Sequence, residues 1–206
     1  MRRALPWILS AILLIAFIAS FSELQRVRKR FGEVTRHTFH DHQDVRRSVI
    51  RAKLSEATHP IVIMGDSVAE MAAFPAEVSG NEVINAGIGG MTTQELLTFA
   101  PRLLDGTTPR AIAVALGAND VGSATLAADY AKLLTLLRRY SPHLVSISSS
   151  PDRKVNDLIR EACVSRGVVF LEPEIQHDGR LPDGIHLNRR GYQTWLPMLT
   201  RALSAL

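Results

Sequence analysis

The chain has 206 residues, 46% of them hydrophobic and 21% charged, a balance that fits one packed domain with an appendage and excludes a disordered chain. A single Cys excludes a disulfide-stapled module and a Cys-rich zinc fold. Three Tyr, two Trp and seven Phe leave little for a base-stacking platform, and the formal net charge of +4 has a local origin. Arg2, Arg3, Arg26, Arg28, Lys29 and Arg30 flank one apolar run, so the basic excess points to a membrane and away from nucleic acid.

That run, Ala4–Phe21, is 18 residues without a charge. As a helix it measures about 27 Å, against about 30 Å for a bilayer hydrocarbon core. Residues 1–22 are therefore expected to form a transmembrane signal anchor. The alternative is a cleaved secretory signal, with Ser20 and Ser22 as the small residues around the cut. With two Arg before the run and four basic residues against Glu23 after it, the positive-inside rule read literally leans slightly towards a cytoplasmic C-terminus. A short basic tail ahead of a first apolar segment favours export of the chain beyond it. The expected location is a bacterial-type inner membrane with the remainder facing the periplasm or exterior.

Residues 23–57 read as a charged stalk. Within it Val45, Val49, Ile50 and Leu54 fall on one face of a weakly amphipathic helix. His37, His40 and His42 with Asp41 form a short cluster. It reads as a solvated loop entering that helix, because nothing elsewhere completes a four-ligand metal site. No metal and no cofactor is expected.

Residues 58–206 alternate strand-like and helix-like segments. Apolar runs at 61–64, 82–85, 111–116, 143–148 and 167–171 predict five strands. Helices are expected at about 68–76, 92–104, 125–140, 152–166 and 189–204, with Thr92 or Thr93 and Asp152 as N-terminal caps. Near-continuous apolar strands separated by helices predict an α/β domain with a five-stranded parallel sheet covered on both faces.

Chemistry in such a fold gathers at the carboxyl ends of the strands. Four unusual loops fall there: Gly65-Asp66-Ser67, Asn85-Ala86-Gly87-Ile88-Gly89-Gly90, Gly117-Ala118-Asn119-Asp120 and Asp183-Gly184-Ile185-His186. Each alone is ordinary turn chemistry. Together they supply a complete set of roles. A serine hydroxyl needs a base to become a nucleophile. His186 can be that base for Ser67, and Asp183, three residues earlier, can fix its tautomer. The backbone N–H groups of Ser67 and Gly90 and the side-chain amide of Asn119 can meet an oxyanion. The Gly-x-Ser-x-Gly elbow of α/β-hydrolases is excluded as the alternative serine motif, because that fold needs several strands before its serine and Ser67 follows the first.

With these motifs, IVIMGDSV, VINAGIGGMTT, VALGAND and LPDGIHLNRRGY, the chain over residues 60 to 204 resembles the GDSL-type, or SGNH, hydrolases. Val68 stands where that family commonly has Leu, and Met91 where Asp is frequent. The resemblance implies a three-layer, flavodoxin-like fold and metal-independent hydrolysis of esters, thioesters or acylated sugars and lipids. It places Ser67, Asp183 and His186 as the catalytic residues, with Ser67, Gly90 and Asn119 as the oxyanion hole. The short connecting loops leave little lid. With export and an anchor, the expectation is a membrane-bound esterase acting on acetyl or other short acyl esters of envelope carbohydrate. Lysophospholipase, thioesterase and O-acyltransferase activities, or a non-catalytic binding module of the same fold, are the alternatives.

Overall fold

The computed structural model describes residues 5–34 and 42–206, and the chain divides into two compact units, 1–42 and 43–206. His37 and His40 of the histidine cluster lie outside the described residues.

Among the described residues the first unit is formed by helix α1 (Leu5–Val34). It runs well past residue 22, where the apolar segment was expected to end. Its described large apolar side chains, from Trp7 to Val27, are exposed. Phe17 and Phe21 stack one turn apart, with centroids at 6.1 Å. Among the described residues, no helix is long and apolar enough to cross a membrane, so the expected transmembrane segment finds no support there.

The second unit is built from α2 (His42–Glu56) onward, in sequence terms the second half of the charged stalk. It does not behave as one: Ile50 and Leu54 are buried in the main core. The remaining elements are β1 (Ile61–Gly65), α3 (Ser67–Glu70), β2 (Glu77–Val78), β3 (Asn81–Gly87), α4 (Thr93–Leu104), β4 (Ala111–Ala115), α5 (Leu126–Leu137), β5 (Leu144–Ile147), α6 (Arg153–Ser165), β6 (Val169–Leu171) and α7 (Arg189–Ser204).

The sheet has six strands in the order β2-β3-β1-β4-β5-β6, not five. The five expected strands pair in parallel, and their relative order is the 2-1-3-4-5 of flavodoxin-like folds. The sixth, β2, is a two-residue antiparallel edge strand beside β3, so the sheet is mixed. Pleat alternation divides the core into two layers. Val62 and Met64 of β1 face α2, α4, α5 and α6. Ile61 and Ile63 face the other way, towards α3 and α7 with Trp195, Leu199 and Leu203.

Local chemistry sets the helix starts. Thr92 and Glu95 form a capping box on α4, and Asp152 caps α6 by accepting from the Val155 N–H. Asn188 caps α7 through the N–H groups of Arg190 and Gly191. The helix after β1 stops after four residues, far short of 76. The Asn85 side-chain amide takes the carbonyls of Ala69 (2.9 Å) and Glu70 (3.2 Å), and Pro75 comes soon after.

Candidate active site

Strand register builds the rim. Gly65 aligns with Gly87 of β3 and Ala115 of β4, so the loops beyond these three strands leave the sheet at one level. The Ala115 carbonyl accepts from the Asp66 N–H at 3.1 Å, and the Gly65 carbonyl from the Ile88 N–H at 3.0 Å. Gly87 has no room for a side chain: an added Cβ would lie 2.8 Å from backbone atoms of Ala69 and Glu70.

Ser67 opens α3. Its position is fixed by Asp66, which is fully buried. One carboxylate oxygen of Asp66 accepts from the Val68 N–H at 2.9 Å. The other accepts from the Ser149 hydroxyl at 2.6 Å and the Ala118 N–H at 3.3 Å. Burial pushes the Asp66 carboxyl up to about 6, against the pull of these donors. The Tyr192 hydroxyl donates to the Val68 carbonyl at 2.7 Å, bracing α3 from α7.

Ser67, His186 and Asp183 form one hydrogen-bonded chain. His186 Nε2 stands 2.9 Å from Ser67 Oγ, and His186 Nδ1 stands 2.7 Å from Asp183 Oδ2. Asp183 Oδ1 also accepts from the backbone N–H groups of Ile185 (2.8 Å) and His186 (3.0 Å). The hydrogen bond from His186, then those two N–H groups, hold its carboxyl down to about 2. An ionised carboxylate only accepts, so the ring proton sits on Nδ1 and the Nε2 lone pair faces the serine hydroxyl. That orientation lets a neutral imidazole take the serine proton.

The other two expected residues lie on the neighbouring loops. Gly90 has φ +78°, a left-handed conformation that favours glycine. Asn119 donates from Nδ2 to the Met91 carbonyl at 3.1 Å. Nδ2 carries two hydrogens, so that bond orients the amide and leaves one N–H to meet an oxyanion. Met91 itself is buried in the core. Asp120, next to Asn119, ties this loop to α4 by accepting from the Thr93 N–H (3.0 Å) and hydroxyl (3.1 Å). Burial raises its carboxyl above the ordinary value. Sequence reasoning misses Asp66 as a buried anchor, and it misses Ser149, Tyr192, Glu70 and Arg46, which all support these loops.

Among the described residues no group of three or more His, Cys, Asp or Glu could hold a metal ion. No curated protein matches the chain. The fold has close counterparts among solved structures. A putative platelet activating factor from Streptococcus pneumonia is 19% identical, with 88% of this chain and 98% of that chain covered and a TM-score of 0.64. A GDSL-like lipase from Bacteroides thetaiotaomicron is 18% identical, over 79% of this chain and 98% of that one, TM-score 0.64. An acetyl xylan esterase from Geobacillus stearothermophilus is 13% identical, over 71% and 95%, TM-score 0.56. At these identities the likeness is one of fold. Residues 63–194, more than half of the chain, match the GDSL-like lipase/acylhydrolase family, and the protein is therefore a member of that family and an ester-bond hydrolase.

Proposed function

We propose that this chain is a membrane-anchored serine esterase that removes short acyl groups, acetyl above all, from envelope carbohydrate. The hydrogen-bonded chain Ser67–His186–Asp183, at 2.9 and 2.7 Å, carries the reading. Ser67 Oγ attacks the ester carbonyl carbon while its proton passes to His186 Nε2. The oxyanion is met by the N–H groups of Ser67 and Gly90 and the Asn119 amide. The intermediate collapses, the leaving alcohol takes the proton from His186, and an acyl-enzyme remains. Water then attacks the acyl carbon, giving its proton to His186, and as the second intermediate collapses Ser67 Oγ leaves with that proton taken back from His186, releasing the carboxylic acid.

A polar leaving group is favoured by a cavity of about 580 Å³ beside the histidine loop. Its walls include Ser149, Ser150, Asn156, Arg153, Arg180 and Glu172, planar amides, guanidinia, carboxylates and hydroxyls that suit sugar hydroxyls better than an acyl chain. Ser67, Gly90, Asn119, Asp183 and His186 do not line it; two of its lining residues connect to the site, Ser149 donating to Asp66 and Arg180 donating to the carbonyl of Ile185 at 2.7 Å. Anchoring is supported by the uncharged run Ala4–Phe21 in the sequence, and the short basic tail before it favours a periplasmic or exterior catalytic domain.

The test is hydrolysis of p-nitrophenyl esters of increasing chain length by the purified chain, with a fluorophosphonate probe mapped to its site. The expected result is a sharp preference for acetyl and labelling at Ser67 alone. A preference for eight or more carbons would replace the carbohydrate reading with a lipid one. Undiminished labelling in Ser67→Ala would remove the serine mechanism.

A further inference from the structure

Helix α2 lies ahead of the matched residues 63–194, yet its first turns reach the loop that ends at Gly90. Arg46 Nη2 donates to the Gly87 carbonyl at 2.8 Å and the Asn85 carbonyl at 3.3 Å. Arg46 Nε donates to the Gly87 carbonyl at 3.2 Å and stands 3.0 Å from Glu70 Oε1. The other oxygen of Glu70 accepts from the Gly89 N–H at 2.6 Å. The Gln43 amide donates to the Gly89 carbonyl at 3.3 Å. A Cβ built on Gly89 would lie 3.8 Å from Ser67 Cβ, so this loop passes directly beside the serine.

These contacts have two physical consequences. Gly87, Ile88, Gly89 and Gly90 contain three glycines in four residues, a segment with few side chains of its own to hold one conformation. An oxyanion donor works only when it is aimed beforehand. The Arg46–Glu70 pair holds Gly87 by its carbonyl and Gly89 by its N–H, and the pair is largely shielded, with side chains 22% and 16% exposed. The second consequence is electrostatic. The Glu70 carboxylate binds Gly89, one residue from the Gly90 donor, and alone it would oppose a developing oxyanion; the guanidinium neutralises it.

We propose that Arg46, acting through Glu70 and the Gly87–Gly89 backbone, is a positioning residue for the oxyanion hole formed with Gly90. The inference rests on the acyl-enzyme reading above. It makes α2 a working part of the hydrolase and not a spacer.

The experiment is steady-state hydrolysis of p-nitrophenyl acetate by the full chain, with active sites counted by fluorophosphonate titration. Arg46→Met keeps the aliphatic stem and removes the donors. Its kcat per titrated site falls about 10- to 100-fold, less than the loss of a whole oxyanion donor, while KM stays within about twofold. Arg46→Lys, which keeps the charge but not the fork of donors, recovers part of the rate. Glu70→Gln also lowers kcat, and the double variant is little worse than the poorer single one, because the two residues act as a unit. A merely structural role would lower the yield of titratable sites without changing kcat per site. Should Arg46→Met not fold, Arg46→Lys and Glu70→Gln are read by the same criteria. Wild-type kcat per site in these variants overturns the inference. An inactive, unlabelled wild type overturns the acyl-enzyme reading instead.

Discussion

Replacing Asp66 by Asn removes a buried charge from directly beneath the serine while keeping the helix cap. Burial lifts the native Asp66 carboxyl to about 6 from an ordinary value of 3.8, whereas the unfolded chain keeps the ordinary value. The native state therefore holds the proton more tightly. Its contribution to stability is complete below the unfolded value and is lost as pH rises through about 6. At 1.36 kcal/mol per unit, the loss between pH 4 and 7.5 amounts to about 2–3 kcal/mol. In Asp66→Asn the amide oxygen still accepts from the Val68 N–H, and the Ser149 hydroxyl can turn to accept from the amide. The Ala118 N–H, now facing an NH2 group, adds a penalty of about 1–3 kcal/mol that does not change with pH. The assay is urea unfolding of both proteins at half-unit steps from pH 4 to 7.5. The wild type should lose about 2–3 kcal/mol relative to the variant across that range. A difference that stays constant within about 0.5 kcal/mol would refute the account of Asp66 as a carboxylate raised by burial.

Two further outcomes are expected. Asp183→Asn should keep the fold but lower kcat by on the order of 10⁴, because the amide presents N–H to His186 Nδ1 and leaves the ring proton on Nε2, which then cannot accept from Ser67. Since the Asp183 carboxyl is held down to about 2, it adds stability above its ordinary value that is lost only as pH falls through about 2. A pH–rate profile of kcat/KM from 5 to 9 should therefore show no step belonging to it, and an unimpaired Asn variant would remove it from the mechanism. Gly87→Ala should destabilise by about 1–3 kcal/mol in urea unfolding, because its Cβ would meet backbone of Ala69 and Glu70 at 2.8 Å.

The fold is legible in the sequence wherever its signals are local. Strands β1, β4 and β5 are buried throughout, so each reads as an apolar run without a partner needing to be known; β3 and β6, partly exposed, still read from their short apolar runs. The caps at Thr92 and Asp152 act within four residues and are equally visible. Strand β2 is only Glu77–Val78 at the sheet edge, too short for any periodicity to register. The early end of α3 is hidden for another reason. Its last carbonyls, those of Ala69 and Glu70, are taken by Asn85, a residue 15 to 16 positions away. That Ser67, His186 and Asp183 come together is legible because they follow strand ends, where the rim of a parallel sheet brings distant segments together.

Composition fails at α2, and the failure has a specific cause. A helix with Arg46, Arg47, Arg51 and Lys53 among few apolar residues reads as solvated, because a charged head is normally left in water. Of the weak apolar face of Val45, Val49, Ile50 and Leu54, only Ile50 and Leu54 are buried, enough to dock the helix. The decisive contacts are those of Arg46 with carbonyls about 40 positions away. Main-chain carbonyls have no sequence signature, so a guanidinium that binds them looks the same in sequence as one that binds water. The same holds on the other side of the pair: Glu70 reads as part of an ordinary helix, and its bond to the Gly89 N–H becomes visible only once β1 and β3 lie side by side. The residues proposed to perform the chemistry are read from the rim loops, whereas those proposed to aim the oxyanion donors are read only from the packed structure.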